Sequence, residues 1–257
     1  MNTVSTMINT AQLDYVLRIA DSSLILGHRL SEWCGHGPVI EEDIALTNVA
    51  LDLIGKARLL YAHAGSVEGD GRHEDDFAFR RTASEFRNVT LVELPNDDYG
   101  CTTLRNFLFT SFQRELWGAL QTSGDVQLAE IAAKSAKETR YHVQHAADWT
   151  VRLGDGTDAS HARMQRALDT LWPYTAEFFS TSAIDDRARD AAIGPVWSTL
   201  ETAWRRAVLP VLDVATLKVP ERIPSKPHGK DGHHSEHLER LLAEMQYLQR
   251  TYPNCNW

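Results

Sequence analysis

At 257 residues, 43% of them hydrophobic and 24% charged, the chain has an ordinary globular composition and is long enough for one large core, so general disorder is excluded. A formal net charge of -9 argues against nucleic acid as a partner, because neutralising phosphates needs a basic face; an anionic small ligand held by a few arginines stays open. Cys34, Cys101 and Cys255 lack C-x-x-C spacing and fit neither a disulfide framework nor a zinc site, and with no basic-then-apolar leader and no bilayer-length apolar run the chain reads as cytoplasmic and not membrane-bound.

The first predicted helix covers about residues 10–34 and is stopped by Gly35 and Gly37-Pro38. Its core stripe is Leu13, Val16, Leu17, Ala20, Leu24 and Ser31; a neighbouring stripe carries Asp21, Ile25, His28 and Glu32. The second, about residues 40–64, opens on Glu41-Glu42-Asp43, favourable at the positive end of a helix dipole, and ends at Gly65. It is apolar on nearly all sides, which predicts a helix buried in the middle of a bundle. One row interrupts it: Asn48, Asp52, Gly55 and Lys56. Asp52 and Lys56 stand four apart in acid-before-base order, so they are read either as a partly exposed pair or as a charge balance inside the bundle.

After a polar connector, residues 75–88 read as a shorter helix, and the loop ending LPNDDYG leads into a helix over about residues 102–121. The next helix follows Ser123-Gly124-Asp125 and ends at Gly154-Asp155-Gly156. Its stripe runs through Leu128, Ile131, Ala132, Ser135, Ala136, Val143, Ala146, Trp149 and Leu153, with Thr139 and His142 inside it. A helix over about residues 159–180 carries Trp172, Tyr174, Phe178 and Phe179, read as core. The chain after Thr181 is less regular, with a helix at about residues 195–213 and the proline-bearing loop LKVPERIPSKPHGKDG. A last helix is N-capped by Ser235 and stops at Tyr252-Pro253. Nothing alternates with a period of two and nothing repeats, so residues 1–257 read as one all-α domain.

His228, His233, His234 and His237 lie in or beside a Gly/Pro/Lys loop and are read as solvent-exposed rather than metal-binding. No Walker loop, nucleophile elbow, dinucleotide turn or H-E-x-x-H pair is present, so hydrolase, kinase and dehydrogenase readings have no support. What remains is the bundle interior, with Glu32, Asp52 and His142 on three helices. A non-haem di-iron centre takes about four carboxylates and two histidines, commonly from two Glu-x-x-His motifs. Here the corresponding places read Asp52-x-x-Gly55 and Thr139-x-x-His142.

The blocks LILGHRLSEWCGHGP, EEDIALTNVALDLIGKAR, AAKSAKETRYH, LGDGTD and HLERLLAEMQYLQR, in this order along nearly the whole chain, resemble the family formed by the C subunits of bacterial phenylacetyl-CoA epoxidases (ring 1,2-phenylacetyl-CoA monooxygenases). The resemblance implies a ferritin-like helical bundle with additional peripheral helices, acting as a structural, non-catalytic subunit in aerobic phenylacetate degradation. It implies no cofactor here: di-iron belongs to the partner catalytic A subunit, and the iron–sulfur cluster, flavin and NADPH to the reductase component. A small B subunit is the remaining partner. Laid on this sequence, the family's ligand pattern falls on Glu32, Asp52, Gly55, Thr110, Thr139 and His142. Lys56 is then a replacement charge that, with polar neighbours, holds Glu32 and Asp52; alternatively Lys56 faces solvent and Glu32 caps a helix end. Glu85, Phe86, Arg87 and Asn88, behind Arg80 and Arg81, are candidate substrate-binding residues toward an acyl-CoA phosphate, weighed against an exposed helix whose arginines pair locally. The competing readings are an independently active di-metal oxygenase and an acyl-CoA-binding module.

Overall fold

The computed structural model describes residues 2–221, 228–253 and 255, with side chains from residue 10 onward. Ten α-helices and no strand occur among the described residues: α1 (Asn2–Ser31), α2 (Ile40–Glu68), α3 (Glu74–Phe79), α4 (Tyr99–Leu120), α5 (Val126–Gly154), α6 (Asp158–Thr175), α7 (Ala183–Asp190), α8 (Glu201–Val214), α9 (Glu236–Met245) and α10 (Tyr247–Thr251). They form two compact units, Met1–Trp33 with Leu46–Pro95 and Pro227–Trp257, and Cys34–Ala45 with Asn96–Lys226. Residues 222–227 of the proline-bearing loop lie outside the described residues.

In the first unit, α2 runs through Gly65 instead of stopping there. A Cβ on Gly65 would collide with the carbonyl oxygen of Arg72, so the glycine makes room for the returning chain and is not a helix stop. Nor is α2 buried all round: Leu51 is 61% and Leu59 36% exposed. The helix expected over residues 75–88 ends at Phe79. Beyond it the chain turns through a 3-10 segment at Ala83–Glu85, where Thr82 and Glu85 form a capping box, and a second at Thr90–Glu93. That irregular path lets Arg81, Phe86 and Asn88 all point inward, which a continuous helix could not do. Buried Gln246 breaks the last helix into α9 and α10, its amide donating to the carbonyls of Ala78 and Arg81, 3.0 Å each.

The second unit is built around α4, on which every residue from Gly100 to Gln113 is buried. Asp98 caps it by accepting from the Cys101 N–H, and α5, α6 and α8 pack against it. Helices buried on all sides are therefore α4 over Gly100–Gln113 and, in the first unit, α1 over Tyr15–Gly27, although α2 is the more apolar by sequence. One flank holds an aromatic cluster in which Phe112, Phe178, Phe179, Trp197 and Trp204 meet at ring separations of 4.9–6.2 Å. Trp172 joins it against Trp204 at 5.4 Å, and the Trp204 indole N–H donates to the Leu108 carbonyl at 3.0 Å. α7, in the stretch that reads as irregular, is closed by a Ser182/Asp185 capping box.

Candidate functional site

The positions that the resemblance singles out are divided between the two units. In the first, Glu32 follows the end of α1; its side chain is 44% exposed and ion-paired to Arg29 at 2.7 Å. Asp52, Gly55 and Lys56 lie on α2, with Asp52 half-buried and Gly55 exposed, which corrects the expectation that Glu32 and Asp52 stand in the bundle interior. Lys56 is only 2% exposed, which rules out the alternative in which it faces solvent; an ammonium that far from water has to be matched inside the protein. In the second unit, Thr110 on α4 and Thr139 and His142 on α5 are all fully buried, on two helices that pack against each other. The Thr110 hydroxyl donates back to the Asn106 carbonyl at 2.7 Å, the helical back-bond that threonine makes in a dry interior. The buried face of α5 runs Leu128, Ile131, Ala132, Ser135, Thr139, His142, Val143 and Ala146, while Ala136, Trp149 and Leu153 of the predicted stripe are half-buried.

Among the described residues, no three histidine, cysteine or carboxylate side chains come together so as to hold a metal ion. The side chains at the singled-out positions do not fit a di-iron group either: one glycine and two threonines offer neither carboxylate nor imidazole.

A buried charge centre of the first unit lies elsewhere. Asp21, fully buried on α1, accepts from both terminal nitrogens of Arg81 (Arg81 Nη1 at 3.0 Å), from the Tyr61 hydroxyl at 2.6 Å and from the Arg87 backbone N–H at 2.7 Å. Burial, and then the Asp21 charge, hold the Tyr61 hydroxyl protonated well above its ordinary range, so Tyr61 is a donor here. Arg81 is clamped further by Nε donation to the Phe77 carbonyl at 2.7 Å, and its guanidinium lies over the Phe86 ring at 4.3 Å.

A second centre is Glu93, also fully buried. Its carboxylate accepts from Asn88 Nδ2 at 3.0 Å and the Ser235 N–H at 2.6 Å, and lies 2.9 Å from His234 Nδ1. The other His234 nitrogen, Nε2, is 3.0 Å from the Phe86 carbonyl, so the imidazolium form satisfies both acceptors. Arg29 donates Nε and Nη2 to the Glu93 carbonyl at 3.1 and 2.7 Å. The His234 side chain is 4% exposed, which corrects its reading as a solvent-exposed loop histidine. Its burial follows from contacts far away in the chain, which loop composition does not encode.

These two centres account for the segment carrying the candidate substrate residues. Phe86 and Asn88 are buried, whereas Glu85 is exposed and Arg87 half-buried. Glu85 accepts from the Thr82 hydroxyl at 2.7 Å, and Arg87 Nη1 donates to the carbonyls of Ser84 and Phe86 at 2.7 and 2.8 Å. Arg80 pairs with Asp76 at 3.1 Å. In the second unit Glu42 plays the comparable part: it accepts from the Tyr99 hydroxyl at 2.7 Å and lies 2.9 Å from His145 Nε2. None of these three carboxylate centres has a local sequence signature. Asp21 alone gives a hint, as a charge beside an apolar stripe.

Comparison with known proteins points to one family. The model of the family described as phenylacetic acid catabolic protein matches residues 2–257. The C subunit of the 1,2-phenylacetyl-CoA epoxidase of Escherichia coli (strain K12) is 43% identical over 243 residues, which cover 95% of this chain and 98% of that protein. The all-α, ferritin-like class expected from sequence is in accord with this match. No described helix is long and apolar enough to cross a membrane.

Proposed function

The chain belongs to the phenylacetic acid catabolic protein family, and from that membership we propose that it is the structural, non-catalytic subunit of a multicomponent phenylacetyl-CoA 1,2-epoxidase in aerobic phenylacetate degradation. In this reading residues 1–257 act as one cytoplasmic domain that supports a di-iron catalytic A subunit, beside a small B subunit and a reductase carrying an iron–sulfur cluster and flavin and drawing on NADPH. The observation that carries it is the donor set: Gly55, Thr110 and Thr139 stand where the ligand pattern calls for imidazole or carboxylate, and Lys56 is buried one helical turn from Asp52. Buried Lys56 offers charge balance to Asp52, itself only half-buried, whereas Glu32 is exposed and paired to Arg29. His142 is then a remnant in a dry helix interface.

The test has two arms. Iron analysis of the purified chain is expected to find substoichiometric iron, and phenylacetyl-CoA turnover is expected only from the reconstituted complex. Stoichiometric iron with turnover by the chain alone would establish an independent oxygenase instead. Saturable CoA-ester binding without turnover would favour an acyl-CoA-binding module, in which case Arg87 and Glu85 are the members of the 85–88 segment with surface to offer.

A further inference from the structure

One cavity of the second unit has apolar walls and two opposite charges that do not meet. It holds about 330 Å3 and lies where α4 and α6 begin and α5 ends. Tyr99, Leu153 and Met164 supply the walls; the Tyr99 hydroxyl is engaged with Glu42 at 2.7 Å, which leaves its ring as an apolar surface. Thr157 and Ser160 also line the cavity, but their hydroxyls are used in the α6 capping box. Gly100 keeps the space open between Met164 and Asp98: a Cβ there would stand 3.0 Å from the Met164 sulfur and 3.2 Å from Asp98 Oδ1.

The charges of the lining are Asp98 and Arg163. Asp98 Oδ1 accepts the Cys101 N–H at 2.8 Å, whereas Oδ2 has no partner among the described residues. Arg163 makes neither a hydrogen bond nor an ion pair among the described residues, so the two line one cavity without reaching each other. Arg163 is exposed, Asp98 half-buried and Met164 fully buried, which sets the charges toward the mouth and the apolar surface toward the floor. Apolar walls with a few separated polar groups are the usual make-up of a small-molecule site, and a volume at the low end of that range suits a ligand of amino-acid size rather than a nucleotide.

We propose that this cavity binds a free α-amino acid with an apolar side chain. The ligand's carboxylate meets the Arg163 guanidinium, whose planar fork matches it in two parallel hydrogen bonds. Its ammonium donates to Asp98 Oδ2, and its side chain lies on the Tyr99 ring and the Met164 sulfur, both favourable neighbours for an aromatic or branched group. A plain anion meets repulsion from Asp98 and a plain cation meets it from Arg163; a zwitterion is matched at both ends. The inference does not depend on the proposed function.

Calorimetric titration of the full chain tests it, with L-phenylalanine and L-leucine as probes and phenylpropionate and phenethylamine as analogues that each lack one charge. At least one amino acid is expected to bind saturably at one site, and both analogues about tenfold or more weaker than L-phenylalanine or L-leucine, whichever binds tighter. Arg163→Gln and Asp98→Asn are each expected to weaken the amino acid by a similar factor. Asparagine caps a helix as well as aspartate, so Asp98→Asn removes the charge and keeps the start of α4, which unchanged helicity and urea midpoint would verify. Asp98→Asn is also expected to improve phenylpropionate, and Arg163→Gln phenethylamine, a crossed response that general loosening of the fold would not produce. No saturable binding of either amino acid overturns the proposal, as does binding that both variants leave unchanged. An analogue that binds as tightly as the amino acids overturns it too, since the site then recognises a single charge.

Discussion

Arg81 and Asp21 meet through both terminal guanidinium nitrogens although they are 60 residues apart, and both side chains are essentially out of water. The contact ties the stretch after α3 to the middle of α1, with Tyr61 and the Arg87 N–H completing the carboxylate's partners. Breaking a buried pair from one side leaves an unmatched charge and costs about 3–5 kcal/mol. Asp21→Ala is therefore expected to lower stability by about that much in urea denaturation, whereas a paired Asp21→Leu/Arg81→Met replacement recovers a large part of it. Equal losses in the single and double variants would show that the pair is not the source of the effect.

The periodicities of α5 and α6 are legible because each has one dry face and one wet one, and spacing records that contrast directly, whereas α1 is buried at every residue from Tyr15 to Gly27, its polar Arg18, Asp21, Ser22 and Ser23 included. α4 is harder to place as the central helix: Thr102, Thr103, Arg105, Asn106, Thr110 and Gln113 read as polar and yet lie buried, their burial set by neighbouring helices and not by local pattern. The Asp21, Glu93 and Glu42 centres are invisible in sequence for the same reason, since each joins residues brought together only by the fold. The positions that the resemblance singles out divide: Thr110, Thr139 and His142 lie on buried helix faces, whereas Glu32, paired to Arg29, and Gly55 are exposed and Asp52 is only half-buried.

Glu93 and His234 fasten the chain entering α9 to the segment ahead of α4, and Ser235, the α9 N-cap, donates its backbone N–H to the same carboxylate. Glu93→Ala removes acceptors from Asn88, His234 and Ser235 at once, all in a buried setting. The expected result is a loss of about 3–5 kcal/mol and earlier proteolytic cleavage between α8 and α9 than elsewhere. Unchanged cleavage kinetics in Glu93→Ala would mean that this clasp does not hold the C-terminal helices.

His28 gives the stability a pH dependence of definite sign. Burial lowers its pKa below the ordinary 6.5, so on acidification the unfolded chain takes up the proton before the folded one. Its contribution is fully present above pH 6.5 and is lost as pH falls from there through the folded value, with a slope of at most about 1.4 kcal/mol per pH unit. Urea midpoints between pH 7 and pH 5 are expected to fall less steeply for His28→Gln than for the unaltered chain. An identical slope in the two proteins assigns the acid sensitivity to other groups.

The three cysteines divide by environment in a way that thiol labelling can read. Cys34 and Cys255 are exposed, whereas Cys101 sits buried in the first turn of α4. Burial, with a smaller contribution from the Asp97 and Asp98 charges, pushes the Cys101 thiol up to about 11 against the opposing influence of Arg105. Both the missing thiolate and the missing access slow its reaction. At pH 8 an aromatic disulfide reagent is expected to modify Cys34 and Cys255 promptly and Cys101 only in denaturant. Because Cys101 N–H is the group that Asp98 caps, Asp98→Ala is expected to loosen that turn and bring Cys101 labelling forward while leaving the other two rates unchanged. Prompt labelling of Cys101 in the unaltered protein would contradict its burial at the start of α4.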